Sequence, residues 1–327
     1  MTATGRAPVE ATAQASAAAP APAAGTRFPW QLAFLVLASI WGCSFYFIKL
    51  GLVGLNPIQV AFGRLFIGAI TLVILATLSR TRLPRNASTW RHLFVMAVLM
   101  NVIPFVLFSY GETQVSSILA GIINGATPLA TLAVVLVAFP EEDPTPSRVA
   151  GLLIGFLGVL VVVGIWNGLG SGQLPGVLAC IGAICCYGVS FPYGRRHLTG
   201  LVDGPISLAT GQILAATLLM VPLVVLSGGP PGPITSGVVF GMVGLGALGT
   251  GVAYVLNYRV VAAAGGTTAS TVTYLTPLVA ILVGIAVLNE QLAWNEPIGG
   301  LIVVLGVAVS QGRLRGLVRR FRTEVPG

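Results

Sequence analysis

Charge is scarce in this sequence. Only 8% of its 327 residues are Asp, Glu, Lys or Arg, against about 25% in an ordinary soluble domain. So thin a polar supply cannot cover a soluble globule of this length. A cytosolic enzyme, a nucleic-acid-binding domain and a disordered chain are excluded on that ground. Hydrophobic residues make up 55% of the chain and its mean hydropathy is +0.93, which leaves a polytopic membrane protein. The net charge of +8 implies no nucleic-acid partner, because basic residues in membrane proteins mostly mark cytoplasmic segments.

Reactive groups are scarce too. The four cysteines, Cys43, Cys180, Cys185 and Cys186, lie in apolar stretches with neither zinc spacing nor C-x-x-C, and read as packing residues. No H-E-x-x-H, G-x-S-x-G or P-loop occurs, so no enzyme, cofactor or metal is expected. His92 and His197 fall near helix ends, and so do the acids: Glu112, Glu141, Glu142, Asp143, Asp203, Glu290 and Glu296 lie at ends or in loops. A proton relay usually wants an intramembrane acid or histidine. Coupling is therefore expected to use a group nearer the surface, such as Glu290, or to give way to exchange or facilitated diffusion.

What is abundant is apolar runs long enough to cross a hydrocarbon core of about 30 Å. They cover 31–53, 58–79, 91–110, 115–139, 147–166, 174–194, 203–226, 235–257, 264–288 and 294–311. This predicts an all-α membrane protein of ten helices. The junctions at 111–114 and 258–263 are the least marked. Residues 1–28 read as a disordered cytoplasmic tail without the apolar core of a signal peptide, and 312–327 as a basic cytoplasmic tail. With the N-terminus inside, the inner segments hold Arg6, Arg27, Arg80, Arg82, Arg85, Arg91, Arg148, Arg195, Arg196, Arg259, Arg313, Arg315, Arg319, Arg320 and Arg322. The outer loops hold no basic residue, and Lys49 and Arg64 fall within helices. That bias puts both termini in the cytoplasm. The Ala-, Gly- and Arg-rich composition suggests a bacterial inner membrane.

The halves repeat each other at an offset near 148. Trp41-Gly42-Cys43-Ser44-Phe45 matches Tyr187-Gly188-Val189-Ser190-Phe191, Tyr110 matches Tyr258, and Thr127-Pro128-Leu129 matches Thr276-Pro277-Leu278. Glu141 and Glu290 follow their prolines by the same 13 positions. The organisation is thus a five-helix unit over 29–166 and a second over 174–311. An odd helix number inserts the second unit upside down, an inverted repeat of the kind that supports alternating access.

These motifs resemble the EamA family of the drug/metabolite transporter superfamily. They are W-G-x-S-F with a lysine at Lys49, an arginine early in the second helix (Arg64), the two P-L motifs ending in a glutamate, and the Gly-rich helices that follow. The segment Phe139–Pro144 departs from the family pattern. The resemblance implies a secondary carrier, often an exporter of amino acids or other small metabolites. It also implies a central cavity among helices one to four and six to nine, with five and ten peripheral.

Several side chains are candidates for that cavity. Arg64 lies roughly 10 Å along its helix from Pro57, where a guanidinium is costly unless it meets a wet cavity or a partner. It is expected either to fork a substrate carboxylate or phosphate or to bond helix-end carbonyls. Trp41 and Phe45, four apart, share one helix face and, with Tyr187 and Phe191, form a candidate amphipathic wall. Asn101, Asn124, Gln212 and Asn257 are amides at membrane depth, either cavity groups or interhelical glue. Tyr110, Tyr254, Tyr258 and Tyr274 are further candidates, with Tyr110 and Tyr258 also suited to an interfacial belt. Lys49 and Glu290 are candidates for coupling, Lys49 alternatively snorkelling. Pro128 and Pro277 are expected to interrupt helices as hinges or static kinks. Gly151, Gly155, Gly158, Gly299, Gly300 and Gly306 make faces for close helix packing, in one chain or across a homodimer. The expected function is export of a small metabolite, amino acids first. The alternatives are a drug or other small-molecule carrier and a non-transporting membrane scaffold.

Overall fold

The computed structural model describes residues 29–138, 145–164, 166, 173–198, 203–227, 229 and 231–311, with only the backbone at 138, 265–268 and 270. The proposed tails, the acidic segment around Glu141 and Glu142, and Phe139–Pro144 lie outside these residues.

Ten helical segments follow one another among the described residues. They are α1 Trp30–Leu52, α2 Pro57–Leu78, α3 Ala87–Gly111, α4 Ser117–Val137, α5 Pro146–Val163, α6 Leu174–His197, α7 Pro205–Leu226, α8 Ser236–Ala264, α9 Thr271–Leu288 and α10 Asn295–Ser310. The first nine are long and apolar enough to cross a membrane; α10 is apolar but shorter, at 16 residues. Local signals set several starts. Asn56 and Gln59 form a reciprocal capping box ahead of Pro57, and Ser116 caps the Leu119 N–H at the start of α4. The expected break at 258–263 is absent. Helical bonding continues from Ala253 to Ser270 through a run of alanines, then tightens into a 3₁₀ turn at Thr271–Tyr274.

The repeated glycine explains how the two units engage. A Cβ on Gly42 would strike Val279 of α9, and one on Gly188 of α6 would stand 2.9 Å from the Ala130 backbone of α4. Each unit's first helix therefore seats its motif glycine on the other unit's fourth helix, just past the matched proline. The helices α5 and α10 pair along their glycines: Gly158 lies against Gly299 and Val303, and Gly306 against Gly151 and Gly155. These faces close on each other within one chain, so they are not open to a second copy. Their opposite sides expose Leu153, Phe156, Leu157, Leu301 and Leu305, as lipid-facing helices require.

The prolines do not sit in mid-helix as expected. In α4 the helix stops at Gly125 and restarts at Thr127, with Pro128 in the new first turn; in α9 Pro277 opens the segment Thr276–Leu288. The missing proline N–H is unneeded there, so each proline marks a break rather than a bend. The two breaks touch: a Cβ on Gly125 would stand 2.6 Å from the Pro277 ring.

Candidate functional site

Two stretches of π-helix occupy matched places in the units, Val98–Val102 within α3 and Gly244–Val252 within α8. Widened turns of this kind free backbone carbonyls and recur at functional sites. In α3 the cause is Pro104, which cannot donate to the Met100 carbonyl four residues back. That carbonyl accepts instead from the Tyr254 hydroxyl at 3.4 Å. In α8 the stretch is glycine-rich, and the Thr250 hydroxyl reaches back five residues to Leu245 O. Its Gly249 carbonyl faces α2.

Between these stretches lies a cavity that encloses about 580 Å³ of empty space when its open mouth is counted. Helix α1 contributes Trp41, Ser44, Phe45 and Ile48, α2 Arg64, α3 Met100, Phe105 and Phe108, α4 Asn124, α6 Tyr187 and Phe191, α8 Tyr254 and α9 Thr273. Both units build the wall, and α5 and α10 contribute nothing to it.

Arg64 is the charged group of this wall. It is buried; its Nε donates to Thr250 Oγ1 at 2.9 Å and its Nη2 to Gly249 O at 3.3 Å, while Cζ stands 3.7 Å from the Phe105 ring centroid. A hydroxyl, a carbonyl and a π-face cradle the cation without neutralising it. Among the described residues no carboxylate pairs with it and its Nη1 has no protein partner. Arg64 thus bonds a helix carbonyl, one of its two expected roles, and it also fronts the cavity.

Behind the wall, four buried or half-buried side chains form one hydrogen-bonded chain. The Tyr258 hydroxyl donates to Gln212 Oε1 at 2.7 Å, Gln212 Nε2 to Asn101 Oδ1 at 2.7 Å, and Asn101 Nδ2 to the Tyr254 oxygen at 2.5 Å. Tyr254 carries this chain to the cavity surface and meets Trp41 edge-on, ring centroids 6.4 Å apart. Asn101 and Gln212 are therefore interhelical glue that orients a cavity tyrosine, and do not themselves line the cavity.

Of the other candidates, Trp41, Phe45, Asn124, Tyr187 and Tyr254 line this cavity. Tyr110 is exposed and accepts from Gln114 Nε2 at 2.9 Å; Tyr274 accepts from Gln311 Nε2 at 2.7 Å; neither is among the lining residues. Asn257 is buried with Oδ1 unpartnered. Lys49 and Glu290 lie away from the cavity wall and converge on the link between α3 and α4. Lys49 Nζ donates to the carbonyls of Glu112 and Val115, each at 2.7 Å. Glu290 accepts from the Ser117 N–H at 3.0 Å, the Ser117 hydroxyl at 2.8 Å and the Ile118 N–H at 3.1 Å. Asn289, left-handed at φ 51°, ends α9 and turns Glu290 to that place. A cation thus holds the carbonyls that leave one helix, and an anion the amides that start the next, as the helix dipoles favour.

Sequence reasoning passed over Phe105, Phe108, Met100 and Thr250. Pro104 was the available signal, since a proline inside an apolar run frees a carbonyl and widens the helix beside it.

Ten helical segments around an aromatic-lined cavity with a buried arginine define a multi-pass membrane protein. The chain belongs to the EamA-like transporter family, whose model matches residues 28–164 and 174–311, and it is accordingly a membrane transporter. An uncharacterized transporter of Archaeoglobus fulgidus is 27% identical over 281 residues, covering 84% of this chain and 94% of its own. The uncharacterized transporter YdfC of Bacillus subtilis is 25% identical, covering 88% and 93%. Protein PagO of Salmonella typhimurium is 27% identical over 192 residues, covering 57% and 63%. A solved crystal structure at 19% identity superposes with a TM-score of 0.60 over 88% of this chain and 98% of the other, which speaks to the fold alone.

Proposed function

We propose that the protein is a secondary carrier that exports a small amphipathic metabolite bearing an anionic group, amino acids first, by alternating access across a bacterial inner membrane. The observation that carries this reading is Arg64, a buried guanidinium fronting the cavity without a carboxylate partner. A carboxylate or phosphate would supply the missing charge at Nη1, and Trp41, Tyr187 and Phe105 would cover an apolar body. The inverted repeat supports the mechanism, because two equivalent units can exchange outward-open and inward-open shapes around one site.

The test compares media from cells expressing wild type and Arg64→Ala at matched membrane levels, by untargeted metabolite profiling. The expected result is one class of anionic metabolite outside wild-type cells and at least tenfold less outside the variant. A charge-assisted hydrogen bond contributes about 1.5–3 kcal/mol, roughly 10–100-fold in affinity. Matching media would remove the anion-export reading. The heavily aromatic wall favours a second reading, a carrier of apolar drugs; export of such compounds that persists in Arg64→Ala would select it. Cavity variants that disturb assembly of a partner complex and move no solute would select a scaffold.

A further inference from the structure

The link between α3 and α4 carries the least compensated acid among the described residues. Glu112 is 1% exposed, and both its carboxyl oxygens are buried without a hydrogen-bond donor. A charged carboxylate in that setting is expensive, and the usual escape is to take up a proton. The nearby cations make no ion pair with it. Lys49 of α1 bonds the Glu112 and Val115 carbonyls instead of the carboxyl. Arg64 of α2 turns Nε and Nη2 to α8 and acts on Glu112 only at a distance. Glu290, beyond α9, is a second anion at the same link, bonded to α4. From α6, Cys180 packs on Gly111, its Sγ 2.6 Å from where a Cβ would stand. On the link itself, Gln114 Nε2 is turned to Tyr110, and its own Oε1 is buried and unpartnered.

From this arrangement we infer that Glu112 is a proton-binding site: this end of the molecule closes with a proton on Glu112 and releases that proton when it opens to water. The proton leaves as hydronium and returns from it, and no other group changes charge. Burial pushes the Glu112 carboxyl well above the ordinary carboxylate range, with Lys49 and Arg64 opposing the rise and Glu290 adding to it. The sign follows. A raised acid favours the closed arrangement at low pH, and that preference is lost as pH climbs through the raised value. The site belongs to one unit alone. By the Tyr110–Tyr258 register the matching place holds Val260, buried and apolar. The two ends of the inverted repeat are therefore inequivalent toward protons. On the charge-bias topology the proton-binding end faces outward.

The inference rests on the carrier reading for its use in transport, and its first test needs no cargo. The full chain is reconstituted in liposomes and titrated by infrared difference spectroscopy. The expected result is a protonated-carboxyl stretch that fades as pH rises, is missing in Glu112→Gln and is shifted in Glu112→Asp. No titrating stretch, or one that survives in Glu112→Gln, would overturn it. A second test measures spin-label separation between positions 113 and 291, both exposed, with the native cysteines replaced. The separation should widen with pH in the parent chain and stay constant in Glu112→Gln; equal responses would overturn the coupling of protonation to closure. Should Glu112→Gln not fold, Glu112→Asp carries both comparisons. Failure of the carrier reading shows separately, as absence of any solute flux through the wild type, which leaves the infrared result standing.

Discussion

Asn101 serves two buried partners at once. Its Nδ2 donates to Tyr254 and its Oδ1 accepts from Gln212. Removing it orphans the Gln212 amide and frees the tyrosine that faces the cavity. Asn101→Ala should cost about 1–3 kcal/mol, read as an earlier denaturation midpoint in detergent, and should weaken cargo binding as Tyr254 loses its orientation. An unchanged midpoint would mean that water replaces the amide. At this scale the sequence was partly legible. Trp41, Phe45, Arg64, Asn124, Tyr187 and Tyr254 were identifiable as large or polar groups at membrane depth, and they meet at one cavity. Lys49 and Glu290 were visible as charges at helix ends, but their partners are backbone groups, which carry no side-chain signature. Glu112 looked solvated from its position, because helix ends are usually wet. This end is folded beneath α1, α6 and the turn after α9, and one dimension does not reveal that.

At the scale of elements, most helices were readable from length and hydropathy, and their internal breaks were not. Pro128 and Pro277 suggested interruptions, yet the sequence did not tell that they would open new segments. The π stretch of α3 needed Pro104 to be weighed. That of α8 has no proline, and its glycines also suit ordinary close packing. The start of α4 is a junction with a defined energetic prop. Glu290→Ala removes the acceptor for two amides and a hydroxyl there. The loss should destabilise that first turn by about 1–2 kcal/mol. The expected signature is faster hydrogen exchange at Ser117 and Ile118, with the amides of α2 unaffected. Equal exchange rates would show that the cap is redundant.

At the scale of the whole molecule, the repeat was the most legible feature, because its paired motifs recur at one offset. How the units engage was not, since a glycine's spacing does not name its neighbour. The pair α5–α10 packs behind α4 and contributes nothing to the cavity. Stability and cargo recognition are therefore separable. A Cβ on Gly306 meets the Gly155 and Gly151 backbone, which cannot move aside as a side chain would. Gly306→Val should cost about 1–3 kcal/mol and lower folded yield, while each surviving molecule keeps wild-type cargo affinity. Affinity falling together with yield would mean that the pair braces the cavity after all.

The contact between the two helix breaks has a consequence for the cell. Gly125 and the Pro277 ring occupy adjoining space, so a side chain added at position 125 would press on the break in α9. On the proposed alternating-access mechanism, two doors hung on one shared pivot would act as an airlock. A carrier working that way would handle cargo without short-circuiting the membrane voltage that the cell lives on. A bulky side chain at position 125 would wedge the airlock, and what it would put at risk is the electrical seal as much as the rate of transport.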